Sequence, residues 1–114
     1  MEKRFKLAAV DIQSLARGRG YCFASDLITV DGKRVGYMYR EAPGRESDSG
    51  WRFFAGTESP EYTAEQSNFA IYDVNTIANY DPEIVPFLDE PPCAAFERDS
   101  DTGRFRKVEP QALQ

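Results

Sequence analysis

Carboxylate side chains are the residues most able to do chemistry in this sequence, because its 114 residues include no histidine. Without histidine the chain has no Ser-His-Asp or Cys-His catalytic set, and it lacks the usual nitrogen ligand of zinc. Chemistry based on carboxylate, lysine, tyrosine or cysteine side chains remains open. Two groups of acids have a spacing that such chemistry could use.

The first group is Asp99-x-Asp101-x-Gly103, which has the alternating oxygens that open a calcium-binding loop. A complete loop of this type needs another acid where Gly103 stands and a bidentate glutamate at the position of Pro110. Since both are missing, the segment predicts the turn of a hairpin. We expect no metal and no cofactor.

The second group consists of Glu58, Glu61 and Glu65, together with the pair Asp89-Glu90. Acid-base catalysis needs two carboxyl groups in different environments, one that holds a proton and one that takes it. Spacings of three and four residues on a short helix more simply predict an acidic face in solvent. We therefore expect no catalytic residue and a non-enzymatic protein.

The net charge of −5 is unevenly distributed along the chain. Residues 1–20 hold five Lys or Arg against two acids, whereas residues 58–97 hold nine carboxylates and neither Lys nor Arg. A protein with a pI of about 4.7 repels nucleic-acid phosphates and attracts basic proteins. The expected partner is therefore a basic protein and not nucleic acid.

Cysteine, apolar and glycine patterns exclude other classes of protein. Cys22 and Cys93 are far apart in the chain and form no CxxC motif, which predicts reduced thiols. No apolar stretch reaches the length of a signal peptide or a membrane span, so we expect a cytoplasmic protein without a membrane partner. The glycines match neither a P-loop nor a dinucleotide-binding fingerprint.

Apolar periodicity predicts the elements that position these residues. Residues 5–15 have helical spacing and end near Gly18, so residues 1–20 are predicted to form a helical extension. From residue 21 the period changes to two, and Asp31-Gly32 has the composition of a two-residue turn. We therefore predict a β-hairpin over residues 21–41.

The rest of the chain alternates short strands with capped helical turns. Ser59, Asp73 and Asp81 each precede a segment that predicts a short helix, at residues 60–66, 74–80 and 82–88. Further strands are predicted at residues 51–55, 69–72, 93–98 and 104–108, and residues 110–114 are predicted to fray. Residues 21–109 thus predict a single α+β domain with a small, mostly antiparallel sheet and short helices.

Fifteen aromatic side chains are many for a domain of this size, and most of them must lie in the core. Tyr, Trp and Arg also dominate the energy of protein interfaces, so Trp51 and Arg52 are candidates for partner contact at the border of the acidic stretch. The candidate partner-binding residues are Trp51, Arg52, Glu58, Glu61, Tyr62, Asp81, Glu83 and Asp89.

Five segments between Cys22 and Arg98 carry a resemblance to a known family. They are Cys-Phe-Ala-Ser-Asp at 22–26, Val-Gly-Tyr-Met-Tyr-Arg-Glu at 35–41, Asp-Ser-Gly-Trp-Arg-Phe-Phe-Ala-Gly at 48–56, Ile-Tyr-Asp-Val-Asn-Thr-Ile-Ala-Asn-Tyr-Asp-Pro-Glu-Ile at 71–84 and Ala-Phe-Glu-Arg at 95–98. In this combination the chain resembles the immunity protein 33 domain family of bacteria. The resemblance implies an α+β domain that neutralises a toxin delivered by a competing bacterium, and it implies no catalytic residue.

Three functions remain open on the sequence alone. The leading hypothesis is a protein that binds a basic toxin through residues 58–97. A small-molecule enzyme would instead use Asp48, Tyr37 and Glu58 near Trp51, in a deep pocket with shifted carboxyl pKa values. A self-associating module would pair the free strand edges of two copies, which makes the chain a homodimer instead of a monomer.

Overall fold

The computed structural model describes residues 3–42 and 46–109, which form a six-stranded mixed sheet with short helices packed against it. The order across the sheet is β4-β1-β3-β2-β5-β6, in which β1 and β3 are parallel and the four other pairs are antiparallel. The predicted α+β class is confirmed. The strands are β1 Tyr21–Ser25, β2 Tyr37–Arg40, β3 Asp48–Phe54, β4 Phe69–Asp73, β5 Ala95–Arg98 and β6 Phe105–Val108.

The predicted hairpin over residues 21–41 is wrong, because β3 lies between β1 and β2. The side chain of Ser25 accepts the N–H of Leu27 and starts the helix α1 (Asp26–Thr29), which takes the chain out of the sheet. Gly32 does adopt a positive φ of 78°, as the turn composition indicated, but it follows this helix and not a strand. The local turn signal was therefore correct, while the pairing inferred from it was not.

The predicted helix over residues 5–15 is also wrong. A single 3-10 turn, Ala9–Asp11, is the helical structure in this segment, and Val10 within it is 92% exposed. The N–H groups of Leu15 and Ala16, which a helix would use internally, both donate to the side-chain oxygen of Asn75. Contacts with the domain thus determine the conformation of this segment and override its apolar periodicity.

The three predicted helix caps are confirmed. Ser59, Asp73 and Asp81 accept backbone N–H groups at the starts of α2 (Pro60–Ala64), α3 (Val74–Tyr80) and a 3-10 helix, Pro82–Phe87. The last of these contains Pro86, which has no N–H to donate, and it keeps the tighter 3-10 geometry. A second short 3-10 helix, Gln66–Asn68, connects α2 to β4.

One face of the sheet forms the core with the helices, and we call it the covered face. Trp51 and Phe53 of β3 are fully buried on this face, and the Trp51 Nε1–H donates to the carbonyl of Leu88 at 3.1 Å. The helices contribute buried apolar side chains from α1, α3 and the 3-10 helix Pro82–Phe87. The main members of the covered face are Cys22, Ala24, Met38, Trp51, Phe53 and Phe96, against Ile28, Val74, Ile77, Ala78, Ile84 and Leu88.

The hairpin of β5 and β6 forms as predicted and is tied to the helices by Arg98. Its guanidinium pairs with the buried carboxylate of Asp81, donates to the carbonyls of Val35 and Gly103, and lies 4.3 Å from the ring centre of Phe105. The predicted fraying of residues 110–114 falls outside the described residues. Both cysteines are free thiols, and no described helix has the length and hydropathy needed to cross a membrane.

Candidate binding surface

The opposite side of the sheet, which we call the open face, carries the second set of aromatic side chains. Alternation along the strands places Phe23, Arg52 and Ile71 on this face, opposite the buried Trp51 and Phe53. Helix α3 packs against β1 and β4 on the covered face, whereas α2 meets the open face through Tyr62, whose ring contacts Phe69 at the start of β4. Phe23 and Ile71 are accessible on this face, whereas Tyr37 at its other end is only 8% exposed.

Phe23, Phe69 and Ile71 form what we call the apolar patch. Phe23 on β1 and Ile71 on β4 are directly opposite each other in the sheet, and they are 36% and 59% exposed. These two side chains and Phe69 line a shallow groove of about 640 Å³ together with Thr63, Gln66 and Ala70. Exposed apolar side chains that adjoin one another in this way are typical of surfaces that bind another macromolecule.

A line of aromatic rings continues from the apolar patch across the open face. The ring of Phe69 meets Tyr62 of α2 at 5.9 Å and Phe54 of β3 at 5.7 Å, both edge to face. Phe54 in turn stacks on Tyr39 at 6.0 Å. Burial, followed by the nearby carboxylate of Glu41, raises the pKa of Tyr39 to about 12, so its phenol is neutral at physiological pH.

Arg52 lies next to the apolar patch and is fully paired. Its guanidinium donates to both carboxylate oxygens of Asp48 at 3.0 and 2.9 Å and to Glu41 at 2.7 Å, and it lies 4.6 Å from the ring centre of Phe23. Although burial opposes the charge, the hydrogen bonds to Asp48 and Glu41 raise the pKa of Arg52. Arg52 therefore holds Phe23 in place on the open face and brings no unpaired positive charge to it.

The nine carboxylates of residues 58–97 do not form one acidic surface. Three of them, Glu58, Glu65 and Asp73, accept backbone N–H groups in turns and caps. Five are paired with cations from other parts of the chain, and Arg98 and Arg19 lower the pKa of Glu83 and Asp89 through hydrogen bonds. The pairs are Asp81–Arg98, Glu83–Arg98, Glu83–Arg34, Asp89–Arg19, Glu90–Lys107 and Glu97–Arg106.

The structure separates the eight predicted partner-binding residues into three groups. Trp51 and Asp81 are 1% and 2% exposed, so neither side chain has a surface to present to a partner. Glu83 and Asp89 are exposed but lie in ion pairs away from the apolar patch. The remaining four border the open face: Arg52 on β3, Glu58 at the end of β3, and Glu61 and Tyr62 on α2.

Phe23 and Ile71 were not among the residues predicted to bind a partner. Period-two alternation identified the strands that carry them, but it did not say which face the helices would cover. A usable signal was that residues 21–24 and 69–72 carry apolar or aromatic side chains on both faces, which strands of a sheet with one solvated face do not need.

A second concave site lies at the end of the sheet where β2 begins and β3 and β5 end. It is an open cleft of about 860 Å³, and its lining includes Tyr37, Phe54, Glu58, Glu97 and Arg106. Glu97 is paired with Arg106, and Glu58 accepts the N–H groups of Ala55 and Gly56. Within the described ranges, no group of acidic or cysteine side chains has a geometry that would hold a metal ion.

Comparison with known proteins gives one finding, a family model that covers most of the chain. The model describes the Immunity protein Imm33 domain and matches residues 22–109. Searches of curated proteins and of solved structures find no match. The matched region includes five whole strands and all of β1 except Tyr21, together with the apolar patch and the capped helices. The chain therefore belongs to the Imm33 immunity protein domain family.

Proposed function

We propose that this protein is a non-enzymatic immunity protein that binds a cognate toxin in the bacterial cytoplasm and blocks its activity. The observation that carries the proposal is the exposed apolar patch of Phe23, Phe69 and Ile71 on a sheet face that the helices leave open. Burial of such a patch against another protein is favourable, by roughly 25 cal/mol for each Å² of apolar surface removed from water. A domain of an immunity family has a reason to keep that patch exposed until the toxin arrives.

Charge at the edge of the apolar patch supports a basic partner. Glu61 and Glu65 of the α2 region and Asp73 at the end of β4 are exposed, while Arg52 is neutralised by two carboxylates. A partner with lysine or arginine around an apolar centre would be attracted to this border and would then bury the patch. The acidic surface expected to meet the partner is smaller than residues 58–97, because many carboxylates of that stretch are held in ion pairs within the protein.

The enzyme alternative has less support than the binding proposal. The three residues considered for it have structural partners: Asp48 binds Arg52, Glu58 caps the end of β3, and Tyr37 packs against Tyr39 and Phe54. Hydrogen bonds at the protein surface lower the carboxyl pKa of Glu83, Asp89 and Asp99. A general acid would need a carboxyl pKa raised toward neutrality instead.

A growth assay tests the proposal. The protein would be co-expressed with the product of a neighbouring gene that is toxic on its own, and protection would be compared for Ile71→Asp and Val10→Asp. Both changes place a carboxylate on an exposed apolar position, but Val10 lies between Leu7 and Gln13, whose N–H groups donate to side chains of α3 on the covered face. We expect Ile71→Asp to lose protection and Val10→Asp to retain it.

Two results would contradict the proposal. Equal protection by both variants would show that the apolar patch takes no part in binding. Protection without a complex, measured by co-purification of the wild-type protein with a catalytically inactive toxin, would point to an enzymatic or indirect mechanism instead.

A further inference from the structure

The two edge strands of the sheet differ in how they resist pairing with another chain. The outer strand β6 carries the exposed charged side chains Arg106 and Lys107, which oppose the approach of a second strand. The outer strand β4 has the sequence Phe-Ala-Ile-Tyr-Asp and carries no lysine, arginine or proline. Among the described residues, no strand pairs with its outer edge.

The backbone of β4 offers hydrogen-bonding groups at that edge. The N–H of Val74, directly after the strand, donates to the carbonyl of Gly20 on the β1 side. Because backbone groups alternate sides along a strand, Tyr72 and Ala70 face β1, opposite Cys22 and Ala24, and Ile71 turns its N–H and C=O outward. Ile71 thus presents its backbone to the edge and its side chain to the apolar patch.

We propose that β4 accepts an extended segment of the partner protein as a seventh strand of the sheet. The segment would pair with the outward N–H and C=O of Ile71 and place apolar side chains at alternate positions beside Ile71. Exposed Glu65 and Asp73 lie near the two ends of β4, so basic residues at the ends of the segment complement this edge. This inference rests on the proposed function for the identity of the partner, and it adds the mode of recognition.

Peptide binding to the intact protein tests the mode directly. Three labelled short peptides serve as probes: alternating lysine and valine, alternating glutamate and valine, and the lysine-valine peptide with a central proline. Backbone amide signals of Ile71 and Asp73 would be followed by NMR during titration. We expect the lysine-valine peptide to shift these signals and the two other peptides to leave them unchanged, because one has the wrong charge and the other cannot extend the ladder.

The variants Ile71→Pro and Ile71→Ala separate the backbone from the side chain. Both lose the side chain, but only the proline loses the outward N–H, and an edge strand tolerates proline when that N–H faces solvent. We expect the lysine-valine peptide to bind Ile71→Ala at least about tenfold more tightly than Ile71→Pro, which corresponds to about 1.4 kcal/mol. If Ile71→Pro does not fold, the proline-containing peptide provides the same comparison on the wild-type protein.

Three outcomes would overturn the inference. The first is that the Ile71 and Asp73 amide signals stay unchanged at saturating lysine-valine peptide. The second is that Ile71→Pro and Ile71→Ala bind this peptide equally well. The third is that the same signals shift with protein concentration alone, which would assign the edge to a second copy. The growth assay distinguishes this failure from failure of the proposed function. Protection by Ile71→Pro that is retained and equals that of Ile71→Ala would leave toxin neutralisation intact and remove strand addition.

Discussion

The two faces of the sheet carry similar numbers of aromatic side chains and use them differently. On the covered face, Trp51 and Phe53 lie among the helices and are fully buried. On the open face, Phe23 and Ile71 remain accessible, and the rings of Phe69, Phe54 and Tyr39 contact one another, with Tyr62 of α2 against Phe69 at one end. Aromatic content therefore does not tell which side chains are buried in this domain; the positions of α3 and the 3-10 helix Pro82–Phe87 do.

The largest effect should come from removing Trp51, the main side chain of the covered face. Trp51→Ala leaves a cavity in the core and removes the donor to the Leu88 carbonyl, so we expect a loss of about 4 kcal/mol in the free energy of unfolding. Phe23→Ala on the open face is the matched control, with an expected loss below about 1 kcal/mol. Chemical denaturation measures both. Similar losses for the two variants would mean that the open face is also part of the core.

The next largest effect concerns the buried ion pair between Asp81 and Arg98. Asp81→Ala removes the buried partner of Arg98 and the acceptor for the N–H of Val35, and we expect a loss of about 3 kcal/mol in the free energy of unfolding. Asp89→Ala breaks an exposed pair with Arg19 and should change stability much less than Asp81→Ala does. If thermal denaturation gave equal losses of stability for Asp81→Ala and Asp89→Ala, burial would not decide how much a carboxylate of residues 58–97 contributes.

A smaller effect is expected where the N-terminal segment meets α3. Asn75→Ala removes the acceptor for the N–H groups of Leu15 and Ala16 and the donor to the Gln13 carbonyl, and should cost about 2 kcal/mol. Hydrogen exchange at the Leu15 and Ala16 amides should accelerate at the same time. If these amides stay protected in the variant, other contacts hold the segment on the domain.

The smallest effect is the dependence of stability on pH. Arg98 and Arg19 lower the pKa of Glu83 and Asp89 in the folded state, so each pair stabilises the protein above the ordinary carboxyl pKa. This contribution is lost as the pH falls through the lowered values, and the denaturation midpoint should therefore decline below about pH 4. Combining Glu83→Gln with Asp89→Asn should flatten that decline. An unchanged decline would assign it to other carboxylates.

Local signals predicted the parts of this fold that depend on neighbouring residues. Ser59, Asp73 and Asp81 cap the helices that follow them because a capping side chain and the N–H groups it accepts are two or three residues apart. The hairpin of β5 and β6 forms around Asp99 and Gly103 for the same reason, since Asp99 accepts N–H groups within the turn.

Contacts between distant residues produced the errors. Nothing near residues 21–41 indicates that β3 would enter between β1 and β2, because that order depends on pairing with residues 48–54. The absence of Lys and Arg from residues 58–97 was misleading in the same way. Arg19, Arg98 and Lys107 lie outside this stretch in the sequence but pair with its carboxylates in the folded chain. Exposure of Phe23 and Ile71 could not be predicted without knowing which face α3 covers.

The hydrogen bonds between Asn75 and the segment before β1 bear on where this domain can be cut. The region shared with the family starts at residue 22, yet the amide of Asn75 is almost fully buried and is satisfied by Gln13, Leu15 and Ala16. A shortened protein that begins at the family boundary would leave this amide without those partners. We therefore expect the shortest fragment that folds stably to begin before residue 13. The sequence region that defines the family and the region needed for folding would then have different first residues.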